Sequence, residues 1–396
     1  MFAHEIEWLT GIVRWLHVVV GILWIGTSFH LFSWEYKFNR RTGLKPGVEG
    51  NLWMIQGGDF YYVEKLKNAP AKLPDELQWF KYEAYFTWLS GFFLLVLVYY
   101  IDAQSMLINP AAASIAPPLA IMVSLLSLPA CWIVYQYYCK TRFADNLPLS
   151  AALGVIVVAL LSYFLAKMFT GRAVFIHVGV LFGTIMSANV FFVIIPWHKS
   201  LVAAIKAGKP LKELYQSHPG IRSDHNHYLA WPVIFIMLSS HLPLAYNHAN
   251  AWIVVTFCIL ATGFFKHAYS LKQEKRYPGG IGYLAIGVLF IISAVVFTRS
   301  IGDQDDCKAP VAFDQVEKIV NTRCISCHSS TPTDAVWCSP PNDIVFDTPD
   351  EIYDMRDRIL YRAVDSQTMP PVNKTHMRIE DRLQLGCWIQ SGARPD

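Results

Sequence analysis

Charged side chains are scarce in this chain. Asp, Glu, Lys and Arg make up 16% of its 396 residues, and apolar residues 54%. So little charge excludes an ordinary soluble protein and points to several membrane spans. A signal peptide is missing as well. His4, Glu5 and Glu7 stand where a positive segment would precede the apolar run, and no small-residue cleavage site follows it. The N-terminal run is therefore expected to remain as the first span. No nucleic-acid signature appears, so nucleic acid is not an expected partner.

The charge that is present is divided. From Asp303 to Asp396 the chain carries 10 Lys and Arg against 16 Asp and Glu, a net of −6; the preceding part has 23 against 14, a net of +9. This predicts a basic membrane domain over residues 1–302 and an acidic soluble domain over 303–396, with Ser300–Asp306 as the linker.

Apolar runs long enough to cross a bilayer lie near Trp8–Ser33, Glu83–Ile101, Ile115–Gln136, Ser150–Phe169, Ala173–Ile195, Tyr228–Tyr246, Trp252–Tyr269 and Ile281–Thr298. The basic residues concentrate in the loops after spans 1, 3, 5 and 7. The first of these loops has Lys37, Arg40, Arg41, Lys45, Lys65, Lys67, Lys72 and Lys81. The positive-inside rule then places both termini outside. The same loop contains Gly50–Tyr62, too rich in aromatics and glycine for a plain linker, and expected to fold back on the cytoplasmic mouth or lie at the interface. Small residues (Gly21, Gly26 and Ser28 on span 1; Gly183, Ser187 and Ala188 on span 5) favour close helix approach.

This topology turns histidine positions into depths. His17, His177 and His241 fall in the outer half of the membrane, with His248 at the outer end of span 7. His30, His198, His225, His227 and His267 form an inner set. Ionisable groups within spans are costly, so His17, His177 and His241 are candidate ligands or acid–base groups. Two layers of imidazole suit either haem b or copper in the membrane domain.

The sharpest motif is Cys324-Ile325-Ser326-Cys327-His328. C-x-x-C-H is the attachment signature of c-type haem: both thiols form thioethers, and the adjacent imidazole reaches the iron from the same turn. A zinc half-site would need a second C-x-x-C, which is absent. Met369, in Met369-Pro370-Pro371, is the expected second axial ligand, because the prolines stiffen its loop; Met377 is the alternative. Covalent haem attachment occurs in the bacterial periplasm, which agrees with the charge-derived topology. Helices are expected over Phe313–Thr322, Pro349–Ala363 and Arg378–Gln390. Of Cys307, Cys338 and Cys387, two can pair in an oxidising compartment, but spacing does not say which. The fold class is all-α: a polytopic membrane helix bundle of about eight spans, followed by a small soluble cytochrome c domain.

Nearly the whole chain resembles the bacterial membrane-bound urate oxidases that end in a cytochrome c domain. The likeness rests on Trp15–Gly26, Gly50–Trp53, Trp79–Gly91, Gly183–Phe192, His225–Tyr228 through His241, and Met369–Met377. It implies oxidation of urate to 5-hydroxyisourate in a multi-pass protein of the bacterial inner membrane. Electrons would pass through a periplasmic haem c to a downstream cytochrome c or terminal oxidase, without forming peroxide. Two other readings fit the residues alone: a membrane-anchored cytochrome c electron carrier without its own substrate, and a copper-handling membrane protein with a redox tail.

Overall fold

The computed structural model describes residues 2–68, 70, 73–109, 115–211, 219–248, 250–298, 307, 311–334, 339–365 and 367–393. The expected linker Ser300–Asp306 and Cys338 lie outside the described residues.

Helix α1 runs over Phe2–Lys37. At 1.5 Å per residue it is about 50 Å long, well beyond the hydrocarbon thickness of a bilayer. Helix α2 covers Tyr82–Leu95 and continues through a π-helical turn at Val96–Tyr100. Helix α3, Pro117–Tyr138, opens on Pro117 and Pro118, whose missing N–H groups are no loss in a first turn. Helix α4, Leu147–Ala166, is capped by Asn146, which accepts from the Leu149 N–H at 3.1 Å. Helix α5, Gly171–Asn189, is capped by Thr170 in the same way. It passes through a π-helical turn, Val190–Ile194, into α6, Ile195–Lys206. Helices α7 (Gly220–Ser239), α8 (Ala251–Gln273) and α9 (Tyr277–Thr298) complete the bundle.

Seven helices among the described residues are long and apolar enough to cross a membrane. The expected span Tyr228–Tyr246 is not among them: its helix, α7, ends at Ser239. It falls short because Arg222, Asp224, His225 and His227 crowd its first two turns. The most buried spans are α5 and α8, with half or more of their apolar stretch covered by protein. They form the centre, and α1 and α9 turn most of their side chains outward.

Close approaches occur at glycines other than those expected. A Cβ on Gly179 would meet the Ile236 side chain of α7 at 2.6 Å, and one on Gly287 would meet Phe265 of α8 at 2.5 Å. Gly26 and Gly183 have nothing within 4 Å. Tight packing therefore falls at the α5–α7 and α8–α9 crossings.

The all-α expectation is corrected in one place. Strands β1 (Val48–Gln56) and β2 (Asp59–Leu66) form an antiparallel hairpin. Its two-residue turn is Gly57-Gly58, both with positive φ, the backbone that a hairpin turn matched to strand twist requires. Asn39 and Asn51 exchange backbone hydrogen bonds, and Lys65 pairs with Glu35 at 2.7 Å, so the hairpin base is tied to the end of α1.

The C-terminal unit is small and helical, built on α10 (Phe313–Arg323), α11 (Pro349–Asp354) and α12 (Ile379–Gln390). Val316, Ile319 and Val320 pack with Leu385 and Trp388 in its core. A disulfide joins Cys307 to Cys387, one of the pairings the spacing left open.

Candidate functional site

A cavity of about 250 Å³ lies at the end of the bundle that carries the basic loops. Its wall comes from four places. Helix α1 supplies Trp24, Ile25 and Ser28; the segment before α2 supplies Gln78, Trp79 and Phe80. The α5–α6 rod supplies Met186, Val190 and His198, and α7 supplies Ser223, Asn226 and His227. Ala84, Val190 and Ile195 form an apolar cluster with Trp24 and Trp79 beneath it. Ser187 donates to the Ala84 carbonyl at 3.2 Å and fastens α5 to α2 at this level. The Gly50–Tyr62 stretch, expected to fold back on the mouth or lie at the interface, forms the hairpin and does not line the cavity; Gln78–Phe80 of the same loop do.

Two imidazoles, His198 and His227, are the titratable side chains in the wall. Behind the wall stands a polar network. Arg222, 6% exposed, donates to Gln136 Oε1 at 2.7 Å and to Asn189 Oδ1 at 3.3 Å. Asn189 Nδ2 donates to Asn226 Oδ1 at 3.0 Å, and Asn226 Nδ2 donates to the Met186 carbonyl at 3.1 Å. The Tyr135 hydroxyl bonds His225 Nδ1 at 2.9 Å. Three of the inner histidines therefore serve the cavity or its support. Of the other two, His267 bonds the Tyr228 hydroxyl at 2.8 Å and His30 packs against Trp34.

The outer histidines are not brought together. His177 is fully buried, and both its nitrogens are engaged. Nδ1–H donates to the Ala173 carbonyl at 2.7 Å, because a carbonyl can only accept. With the ring neutral, Nε2 accepts from Ser124 Oγ at 2.6 Å, and Ser124 accepts from the Tyr100 hydroxyl at 2.7 Å. His177 thus has no lone pair free for a ligand here. His17 differs. Its Nδ1 meets Ser90 Oγ at 3.0 Å, while Ser90 spends its own proton on the Phe86 carbonyl at 2.6 Å. Nδ1 is therefore the donor, and Nε2 is left with its lone pair. His241 is exposed just past the end of α7. His248 Nδ1 accepts from the Asn250 N–H at 3.0 Å. No group of three His, Cys, Asp or Glu side chains that could hold a metal ion occurs among the described residues.

A profile of the urate oxidase N-terminal family matches residues 3–299, the whole of the bundle from α1 to α9. The chain belongs to that family. No curated protein and no solved structure matches it. The family points to an oxidoreductase acting on urate, and the apolar helices to a membrane protein.

In the C-terminal unit, Cys324 and Cys327 are free thiols on the turns that follow α10. Burial pushes the Cys324 thiol up to about 12. His328 Nδ1–H donates to the Ile344 carbonyl at 2.9 Å, which fixes the ring and leaves Nε2 as the lone-pair nitrogen. The two methionines differ in setting. Met377 is 3% exposed and packs in the core. Met369 is half-buried in a loop pinned from α12: Arg382 donates to the Met369 carbonyl at 2.8 Å, and the Met369 N–H donates to Arg362 O.

The cavity itself escaped the sequence reading. Trp24, Trp79, Met186 and Asn226 lie in segments that carried the family resemblance, but nothing in their spacing says that they converge.

Proposed function

We propose that this protein is a membrane-bound urate oxidase. It converts urate to 5-hydroxyisourate in the cavity and sends the electrons out through a haem c in the C-terminal unit. The observation that carries the reading is the convergence on one cavity of four segments from the family-matched region, holding Trp24, Trp79, Met186 and Asn226.

The reaction adds one water oxygen to urate and releases two protons and two electrons. The wall has the means for the first part. Trp24, Trp79 and Phe80 offer apolar ring faces to a flat bicyclic ligand. Ser28, Gln78 and Asn226 can pair its amide-like N–H and C=O groups. His198 and His227 can take up the released protons as general bases.

For the second part, the residues at Cys324–His328 fit a covalent haem. Two unpaired thiols stand three residues apart, and the next residue is an imidazole whose Nδ1 is already committed. Cys324 and Cys327 would form the thioethers, and His328 and Met369 would hold the iron. A haem bound there supplies a one-electron acceptor, so each urate needs two successive transfers.

With α7 crossing as an eighth span, the positive-inside rule would put the cavity on the cytoplasmic side of the bacterial inner membrane and the C-terminal unit in the periplasm. Electrons then cross most of about 30 Å of hydrocarbon. A second redox group in the bundle shortens that path. His17 is the residue best placed to hold one: it lies seven residues, about 10 Å, before the cavity residue Trp24 on α1, with Nδ1 engaged by Ser90. The onward partner is a soluble cytochrome c or a terminal oxidase. No observation favours the copper-handling reading.

Turnover in ¹⁸O-labelled water with a cytochrome acceptor tests the proposal. The label should enter the product, and no peroxide should form. Peroxide in amounts matching the urate consumed overturns it.

A further inference from the structure

Arg222 is a buried cation whose partners are all neutral. Its guanidinium bonds Gln136 Oε1 and Asn189 Oδ1 and lies over the Tyr135 ring at 5.0 Å. Among the described residues no carboxylate forms a salt bridge with it. A charge taken out of water is costly unless an opposite charge or strong hydrogen bonds compensate it. Neutral amides meet that cost only in part.

The network also gives the charge a direction. Arg222 holds the Oδ1 of Asn189, an entirely buried residue, so Asn189 must present its Nδ2–H groups. One of them goes to Asn226 Oδ1. That fixes the amide of Asn226 in turn: Nδ2 faces the Met186 carbonyl and keeps a second N–H. Asn226 lines the cavity, as does Ser223, the residue after Arg222. The cavity wall is thus biased toward hydrogen-bond donation, with a fixed positive charge behind it.

We infer that the cavity selects a planar anion, and that Arg222 sets this preference through Asn189 and Asn226. This rests on the functional reading and deepens it: urate near neutral pH carries one negative charge, while most other oxopurines do not. Arg222 is a positioning residue here. It acts through the amides and its field and does not touch the ligand.

Equilibrium dialysis on the full-length protein in detergent tests the inference, with urate and uncharged hypoxanthine as probes. Arg222→Gln should weaken urate binding at least about tenfold and hypoxanthine less than about twofold, since a unit charge acts far more strongly on an anion than on a neutral ligand. Arg222→Lys should restore most of the urate affinity. Asn226→Asp, which leaves Arg222 in place, should also weaken urate more than hypoxanthine and serves if Arg222→Gln does not fold. Equal loss of both probes, or no loss of either, overturns the inference. Binding is read apart from turnover. A wild type that binds urate with this dependence but leaves it unoxidised sinks the functional reading and keeps this one. Rapid urate oxidation combined with equal loss of both probes does the reverse.

Discussion

The imidazole of His17 lies against Gly91 so closely that a Cβ on Gly91 would stand 2.9 Å from its Cε1. The neighbouring Ser90 takes the Nδ1 proton, so α2 uses two consecutive residues to seat one histidine of α1. Gly91→Ala should force the ring off this seat at an overpacking cost of about 1–3 kcal/mol. Gly154, which has nothing within 4 Å, is the control, and Gly154→Ala should leave stability unchanged or slightly raised. Thermal melts of the two variants in detergent separate the cases. Equal melting temperatures would mean that His17 is not held as described.

The two methionines should separate cleanly. Met369→Ala should lower the reduction potential and remove the long-wavelength band of a methionine-ligated ferric haem, with little effect on folding. Met377→Ala should keep that band and cost about 2–5 kcal/mol of stability, because Met377 is packed in the core. Loss of the band in Met377→Ala alone would reverse the axial assignment. Replacing Cys324 and Cys327 with Ala should abolish covalent haem staining on denaturing gels while the helical circular dichroism of the bundle persists.

Asp381 ties the C-terminal unit to acid. Burial alone would raise its carboxyl, but the Arg378 backbone N–H and the Arg323 charge outweigh burial and hold it below the usual range. Its side chain is 7% exposed, and Arg323 Nε donates to it at 3.0 Å. A carboxyl depressed in the folded state adds stability above the unfolded value of about 4, and that contribution is lost as pH falls through the folded value. Asp381→Asn should therefore be less stable than wild type near neutral pH, and the gap should close below about pH 4. Denaturation followed at the haem absorption as a function of pH measures it. A gap that does not change with pH would refute the ion pair's role.

Much of this architecture was legible in the residues, and the failures have physical causes. Long apolar runs locate spans because an isolated helix in lipid has no alternative. Helix α7 spoils the rule because Arg222 is buried and His225 and His227 are partly covered by neighbouring helices, a circumstance invisible in one dimension. The hairpin was readable. Gly57-Gly58 sits between strands in which Trp53 and Ile55 face Tyr62 and Phe60, and a Gly-Gly pair between such runs is a hairpin turn signal that the apolar content masks. Histidine depth could be derived, but ring occupancy could not. His17 and His177 look alike in sequence, and only the partners Ser90, Ser124 and Ala173 tell a nitrogen that is free from one that is spent. The cavity was beyond reach for the same reason, since Trp24, Trp79, Asn226 and His198 meet only after the helices pack.

The most direct test of the whole proposal is anaerobic mixing of the intact, oxidised protein with urate, followed by visible absorbance. Reduction of the c-type haem, with two electron equivalents appearing for each urate consumed, is the predicted result. A haem that stays oxidised while urate disappears, or urate that is left untouched by the intact protein, would contradict it.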